Sequence, residues 1–138
     1  KSIKEGDKYM QAYKNIDNEE GIVTLKDFQP GNTAYRLCMH TGTNREPYIT
    51  EVTVTSVGRV YVTTGTKSWS EKYMNNNTTY LREKVTCGEA AMLFRTRTDA
   101  ENYIEKHDLA LWLGLISVSK AEGYSLEQLR KVKEILKA

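Results

Sequence analysis

The chain has 138 residues and a formal net charge of +2, and 39% of its residues are hydrophobic while 28% are charged. This composition excludes wholesale disorder and fits one globular domain with a core of its own. No apolar run approaches the roughly 20 residues that span a bilayer, and nothing at the N-terminus resembles a signal peptide. We therefore expect a cytoplasmic protein without a transmembrane helix.

Residues 1–20 are polar and are predicted to form a short N-terminal helix or arm. Tyr9, Tyr13 and Ile16 follow a helical spacing, and turn residues end the segment.

Residues 21–97 have the pattern of a small β-barrel. Leu25 and Phe28 predict a one-turn helical segment that closes one end of it. Short strands are predicted over 33–40, 48–57, 60–64, 80–81 and 90–94, with a hairpin turn at Gly58. Residues 66–79 are predicted to be a long polar excursion. Four or five short strands separated by turns favour a closed barrel over an open sheet.

Residues 98–138 have a helical period and two predicted capping boxes, at 98–101 and 125–128. The first helix is expected to run from Thr98 to about His107, and Asp108 is expected to cap a second one. The apolar arc of that second helix predicts burial on two sides. Ser125 begins a last helix, and we expect the helices to pack on the barrel as one folding unit.

The positive charge is concentrated in the barrel region, where residues 21–97 hold ten Lys and Arg against six acidic residues. Arginine suits the recognition of phosphate and carboxylate groups. The surplus is nevertheless modest for a dedicated nucleic-acid-binding domain.

The sequence assigns no catalytic residue, no metal site and no cofactor. Cys38 and His40 alternate on one predicted strand and could form a Cys–His pair, but no third orienting group is evident. The two cysteines and two histidines lack the close spacing of metal ligands, and no phosphate-binding loop is present. Free thiols at Cys38 and Cys87 are the simpler expectation, and a bridge between them stays open. We therefore expect a protein that is not an enzyme.

Binding is the stronger class of function, because small barrels often use aromatic and basic residues on their surface to stack bases or to grip peptides. Two tyrosines, Tyr48 and Tyr61, are aromatic candidates for such a surface, although a strand tyrosine usually packs in the core. Packing as a lid over the barrel is an equal alternative for Trp69 and Tyr73. The candidate binding residues are Arg45, Arg59, Lys67, Trp69, Lys72 and Tyr73.

Three segments, 27–35, 54–62 and 93–94 before a capped helix, resemble those of a group of small phage and prophage proteins. The resemblance covers roughly residues 24–138 and implies an α+β fold, with an SH3-like β-barrel followed by a C-terminal helical subdomain of two or three helices. It also implies a mobile-element protein that binds a host or viral macromolecule.

The leading hypothesis is accordingly a non-enzymatic phage or mobile-element binding protein whose target is nucleic acid or a host protein. One alternative is an inhibitor of a host defence system, such as an anti-CRISPR protein. The other is an enzyme that uses Cys38 and His40. No membrane partner is expected, and the chain is expected to be a monomer or a homodimer through the helix that carries Trp112.

Overall fold

A computed structural model describes residues 21–66 and 68–137 of the chain. The predicted N-terminal helix or arm over 1–20 lies outside the described residues, and so does Lys67. The described chain divides into two compact units, and the division falls after Ile104. Each unit is described by itself below, and the prediction of a single folding unit stays a prediction.

The first unit is built on a closed antiparallel barrel in which each strand pairs with the next and the last pairs with the first. The prediction of a small closed barrel is thus confirmed, with six strands instead of four or five. The extra strand lies within residues 66–79, which sequence analysis took for a polar excursion. The strands are β1 (Thr33–Cys38), β2 (Tyr48–Val57), β3 (Val62–Gly65), β4 (Ser70–Met74), β5 (Leu81–Glu83) and β6 (Met92–Phe94).

The barrel interior is filled from all six strands and closed at one end by the segment before β1. Leu25 and Phe28 are both buried, and a 3₁₀ turn over Leu25–Asp27 holds them, as the sequence predicts. The backbone N–H of Leu25 donates to Asn75 Oδ1 at 3.0 Å, which ties this turn to the loop after β4. The rest of the interior core comprises Ala34, Val54, Val62, Tyr73, Leu81 and Leu93.

A second core covers the outside of the barrel where β1 and β6 pair. Leu37 and Phe94 are fully buried there, and Ala100 of the following helix is fully buried with them. The rings of Tyr80, Phe94 and Tyr103 lie 5.5 to 5.9 Å apart in tilted and edge-on arrangements, which are favourable aromatic geometries. Both faces of this part of the sheet therefore carry apolar side chains.

Three helices follow the barrel: α1 (Arg97–Gly114), α2 (Val118–Ala121) and α3 (Leu126–Leu136). An α+β fold with a barrel and C-terminal helices is thus confirmed. The predicted break at Asp108 is wrong, because α1 continues through it to Gly114. The hydroxyl of Thr96, and not that of Thr98, accepts from the N–H of Asp99 at the start of α1. The capping box at Ser125 is confirmed by reciprocal bonds between Ser125 and Gln128.

The second unit contains the rest of α1 with α2 and α3, and its large apolar side chains are exposed. Leu109 is 58% exposed and Trp112 is 57% exposed, while Leu129 on α3 is 37% exposed. The expectation that the helix carrying Trp112 is buried on two sides is therefore wrong for the described chain.

Candidate functional site

Strands β4 and β5 sort their charged residues by face, acids inward and bases outward. Successive side chains of a strand point to opposite faces, so Glu71 points inward and Lys72 outward. Glu83 on β5 is likewise buried while Arg82 beside it is exposed. These two glutamates are the acidic residues of strands β3 to β5. The outer surface of these three strands consequently carries positive charge.

The inward acids bind a single arginine of β1. Arg36 Nη2 lies 3.1 Å from Glu71 Oε2 and 3.3 Å from Glu83 Oε1. Its Nε donates to Tyr73 Oη at 3.1 Å, and its Nη1 donates to Cys38 Sγ at 2.9 Å. The side chains of the arginine and the two glutamates are only 10 to 19% exposed. All of the arginine's nitrogens thus have partners, and the network joins β1, β4 and β5.

Burial alone would lower the pKa of Arg36, but Tyr73, Cys38 and the two glutamates outweigh it and the pKa is raised. Burial also raises the pKa of Tyr73, and the charge of Glu71 raises it further. Arg36 therefore keeps its positive charge, and the phenol of Tyr73 keeps its proton at neutral pH. The network is a saturated internal support for β4 and β5.

On the outer surface, two lysines share one aromatic ring. Lys72 Nζ lies 5.4 Å from the centroid of the Tyr61 ring, and Lys84 Nζ lies 5.1 Å from it. The backbone N–H of Lys84 donates to the carbonyl of Lys72 at 2.8 Å, so the two lysines are neighbours across β4 and β5. Like charges in such positions normally destabilise a sheet, and the Tyr61 ring offsets part of that cost through cation–π attraction. We call Tyr61, Lys72, Arg82 and Lys84 the basic face.

A tight turn at one end of this surface exposes a tryptophan. Trp69 is 73% exposed and directly precedes β4. The turn is closed by the N–H of Thr66, which donates to the Trp69 carbonyl at 2.7 Å. Gly65 has a φ of +103°, and a Cβ at this position would collide with that same carbonyl. Only glycine therefore fits at position 65.

The structure separates the five predicted binding residues that it describes, which exclude Lys67. Arg45 lies in the exposed loop between β1 and β2, and Arg59 lies in the exposed turn between β2 and β3. In an antiparallel meander these two connections lie at opposite ends of the barrel. Lys72 lies on the outer surface of β4, and Trp69, which directly precedes β4, is exposed.

The prediction that Tyr73 is a binding residue of the barrel surface is wrong. Its side chain points inward from β4 and is fully buried in the barrel interior. The sequence does not predict this burial, because residues 70–74 do not have the pattern of a strand. Lys84 and Arg82 are the residues that sequence analysis missed. The alternation Arg82-Glu83-Lys84, matched by Glu71-Lys72, was the signal that could have found them.

The two residues of the predicted Cys–His pair each contact a different neighbour. Cys38 is half-buried and accepts the hydrogen bond from Arg36, while the His40 ring stacks on Tyr48 with centroids 5.2 Å apart. His40 has a φ of +55°, so it no longer follows the alternation of β1. Both cysteines are free thiols, as expected, and Cys87 is exposed.

The described chain is thus a small six-stranded antiparallel barrel with C-terminal helices and a basic, partly aromatic outer surface. The family model of the Phage ProQ C-terminal-like domain matches residues 10–138, and the chain belongs to this family. The expectation of a phage-type protein with a small barrel and a helical tail is confirmed. Comparisons with curated proteins and with solved structures give no match.

Two further searches cover the described residues. No helix among them combines the length and the apolar character needed to cross a bilayer. Over the same residues, no three His, Cys, Asp or Glu side chains are grouped so as to hold a metal ion.

Proposed function

We propose that this phage-type protein binds nucleic acid through the basic face of its barrel and acts by binding, without catalysis. The observation that carries the proposal is the sorting of charge on β4 and β5. Two acids point inward to Arg36, and three cations, Lys72, Arg82 and Lys84, remain on the outside.

Such a surface suits a polyanion. Phosphate groups bound by lysine and arginine release condensed counterions, and this release drives most non-specific nucleic-acid binding. The adjacent Lys72 and Lys84 repel each other in the free protein, and a bound phosphate chain removes that repulsion. Arg59 lies in the turn two residues before Tyr61 and can extend the same track.

Aromatic residues add a second kind of contact. Trp69 is exposed directly before β4, and base–aromatic stacking contributes about 1 to 3 kcal/mol for each base in single strands. A base needs an unpaired face to stack on a side chain, so single-stranded nucleic acid fits this surface better than a duplex. Membership in the Phage ProQ C-terminal-like domain family is compatible with this proposal.

The absence of catalysis is part of the proposal. Cys38 and His40 are engaged with Arg36 and Tyr48 respectively, which supports structural roles for both. Docking on a host protein, as an anti-CRISPR protein would do, remains the outcome to which a failure of nucleic-acid binding would point.

The test is fluorescence anisotropy with a labelled 30-nucleotide single strand at 50 mM salt. The variant Lys72→Gln with Lys84→Gln removes two cations from the basic face. Each phosphate contact contributes about 0.7 to the slope of log affinity against log salt concentration. If the variant and the wild type bind equally at 1 M salt, the loss of two contacts makes the variant bind about 60-fold more weakly than the wild type at 50 mM salt.

The matched control is Lys120→Gln with Lys131→Gln, which removes the same charge from exposed positions of the helical unit. We expect the control to bind within about twofold of the wild type. Equal weakening in both variants would assign the effect to net charge alone, and no binding by the wild type would refute the proposal.

A further inference from the structure

The helical unit exposes more apolar side chain than a monomer tolerates. Leu126, Leu129, Val132 and Leu136 of α3 are between 37% and 63% exposed, and Leu109 and Trp112 of α1 are 58% and 57% exposed. Soluble monomers rarely leave contiguous apolar patches of this kind uncovered. An isolated helix of 11 residues is also marginal in water and depends on packing of its apolar face. These two helices therefore offer apolar surface that a partner can cover.

Each apolar stripe has a row of like charges along one edge, and the two rows are opposite in sign, although Lys106 lies at the other edge of the α1 stripe. On α3, Arg130, Lys133 and Lys137 are spaced three and four apart, so they form one row that adjoins the stripe. On α1, Glu105 and Asp108 form the corresponding row, which continues into Trp112 at the next helical step.

This pattern selects the way in which two copies can meet. Pairing α3 with α3 would bring the two cationic rows together, and pairing α1 with α1 would bring the two acidic rows together. Pairing α3 with α1 covers both apolar stripes and sets cations against acids. A two-fold axis satisfies this arrangement twice, because residue i of one copy contacts residue j of the other and the reverse.

We propose that the chain forms a homodimer in which α3 of each copy docks on the apolar and acidic side of α1 of the other copy. The occupant of the exposed stripe is thus a second copy of this chain. The dimer carries two basic faces, but its formation rests on the helices and is independent of nucleic-acid binding.

Sedimentation equilibrium of the full chain tests the oligomeric state. We expect a species of twice the 15.8 kDa mass of one chain. Trp112→Ala is expected to shift it to the monomer at the same concentration and to keep nucleic-acid binding by the single subunit. Trp69→Ala, which truncates the other of the two tryptophans, is expected to leave the dimer intact. A wild type that is monomeric throughout, or larger than a dimer, would overturn the proposal.

A charge-reversal cycle tests the pairing itself. Glu105→Lys and Lys133→Glu each place like charges together twice in the dimer, and each is expected to raise the dimer dissociation constant about tenfold. The double variant restores opposite charges and is expected to return close to the wild-type value. Glu127→Lys with Lys131→Glu is the matched control, because these two residues already pair with each other at 3.4 Å away from the stripe.

A dimer that ignores both single reversals would contradict α1–α3 pairing, and so would a cycle without recovery. If nucleic-acid binding fails while the dimer and its charge cycle hold, only the proposed function is lost. If the dimer fails while binding to the basic face holds, only this inference is lost.

Discussion

Arg36 is the residue on which the inner side of β4 and β5 depends, and replacing it tests that dependence. Arg36→Met keeps an apolar stem of similar length and removes the guanidinium. The variant leaves Glu71 and Glu83 facing each other with no cation between them, although their side chains are only 16% and 10% exposed. Breaking a buried ion pair by removing one partner costs about 3 to 5 kcal/mol. Because these groups keep slight contact with water, we expect a loss near the lower limit, about 3 kcal/mol in the free energy of unfolding.

The assay is urea denaturation at pH 7 in a Trp112→Phe background, where Trp69 is the remaining tryptophan and reports on the barrel. Two comparison variants refine the test. Arg36→Lys keeps the charge and loses the fork, so we expect about half the loss. Arg36→Met combined with Glu71→Gln and Glu83→Gln removes the uncompensated charge, so we expect it to be more stable than Arg36→Met alone.

Glu83 remains a fair site for that substitution, because a glutamine can still accept the 3.0 Å hydrogen bond from the N–H of Ala91. A loss below about 1 kcal/mol for Arg36→Met would refute the reasoning. A triple variant no more stable than the single variant would refute it as well.

Three further predictions concern single positions. Gly65→Ala should cost about 3 kcal/mol or more by urea denaturation, whereas Gly31→Ala, which also has a positive φ but open space around it, should cost only about 1 kcal/mol; equal losses would contradict the steric argument. Burial raises the pKa of Tyr73 above 10.0, so the stability that its proton brings is complete below pH 10 and is lost as the pH rises beyond it. The advantage of the wild type over Tyr73→Phe should thus shrink as the pH rises from 10 to about 12, and a constant difference would be evidence against a protonated buried phenol. Iodoacetamide at neutral pH should modify the exposed Cys87 well before the half-buried Cys38, as peptide mass spectrometry would measure; fast modification of Cys38 would instead favour a reactive thiol and the enzyme hypothesis.

The sequence predicts those parts of the fold that follow from local patterns. β2 is found over Tyr48–Val57 as expected, because its β-branched residues have few alternatives to a strand. The 3₁₀ turn at Leu25–Asp27 and the cap at Ser125 are also local, and both are present.

The features that the sequence does not predict depend on residues that are distant along the chain. β4 has one large buried apolar side chain, Tyr73, and its inward Glu71 is tolerated only because Arg36 binds it from β1. A partner 35 positions away in the sequence leaves no local signal. The sequence does not predict the basic face for the same reason, because Lys72 and Lys84 become neighbours only through the pairing of β4 with β5.

In the helical region, a local signal is present but predicts the wrong helix boundary. Asp108 looks like a cap, but the residues after it, Leu109 to Leu113, favour helix strongly enough for α1 to continue. Apolar periodicity predicts a face that must be covered and does not say by what.

The central claim is that the basic face binds nucleic acid, and its most direct test is the salt dependence of the affinity. The three cations of the basic face, together with Arg59 in the turn before Tyr61, predict a log–log slope of about −2.8 with a single strand. This slope corresponds to about 50-fold weaker binding at 200 mM than at 50 mM salt. The variant Lys72→Gln with Lys84→Gln should halve that slope, and the control Lys120→Gln with Lys131→Gln should keep it. An unchanged slope in the first variant, or binding by the wild type that does not respond to salt, would contradict the claim.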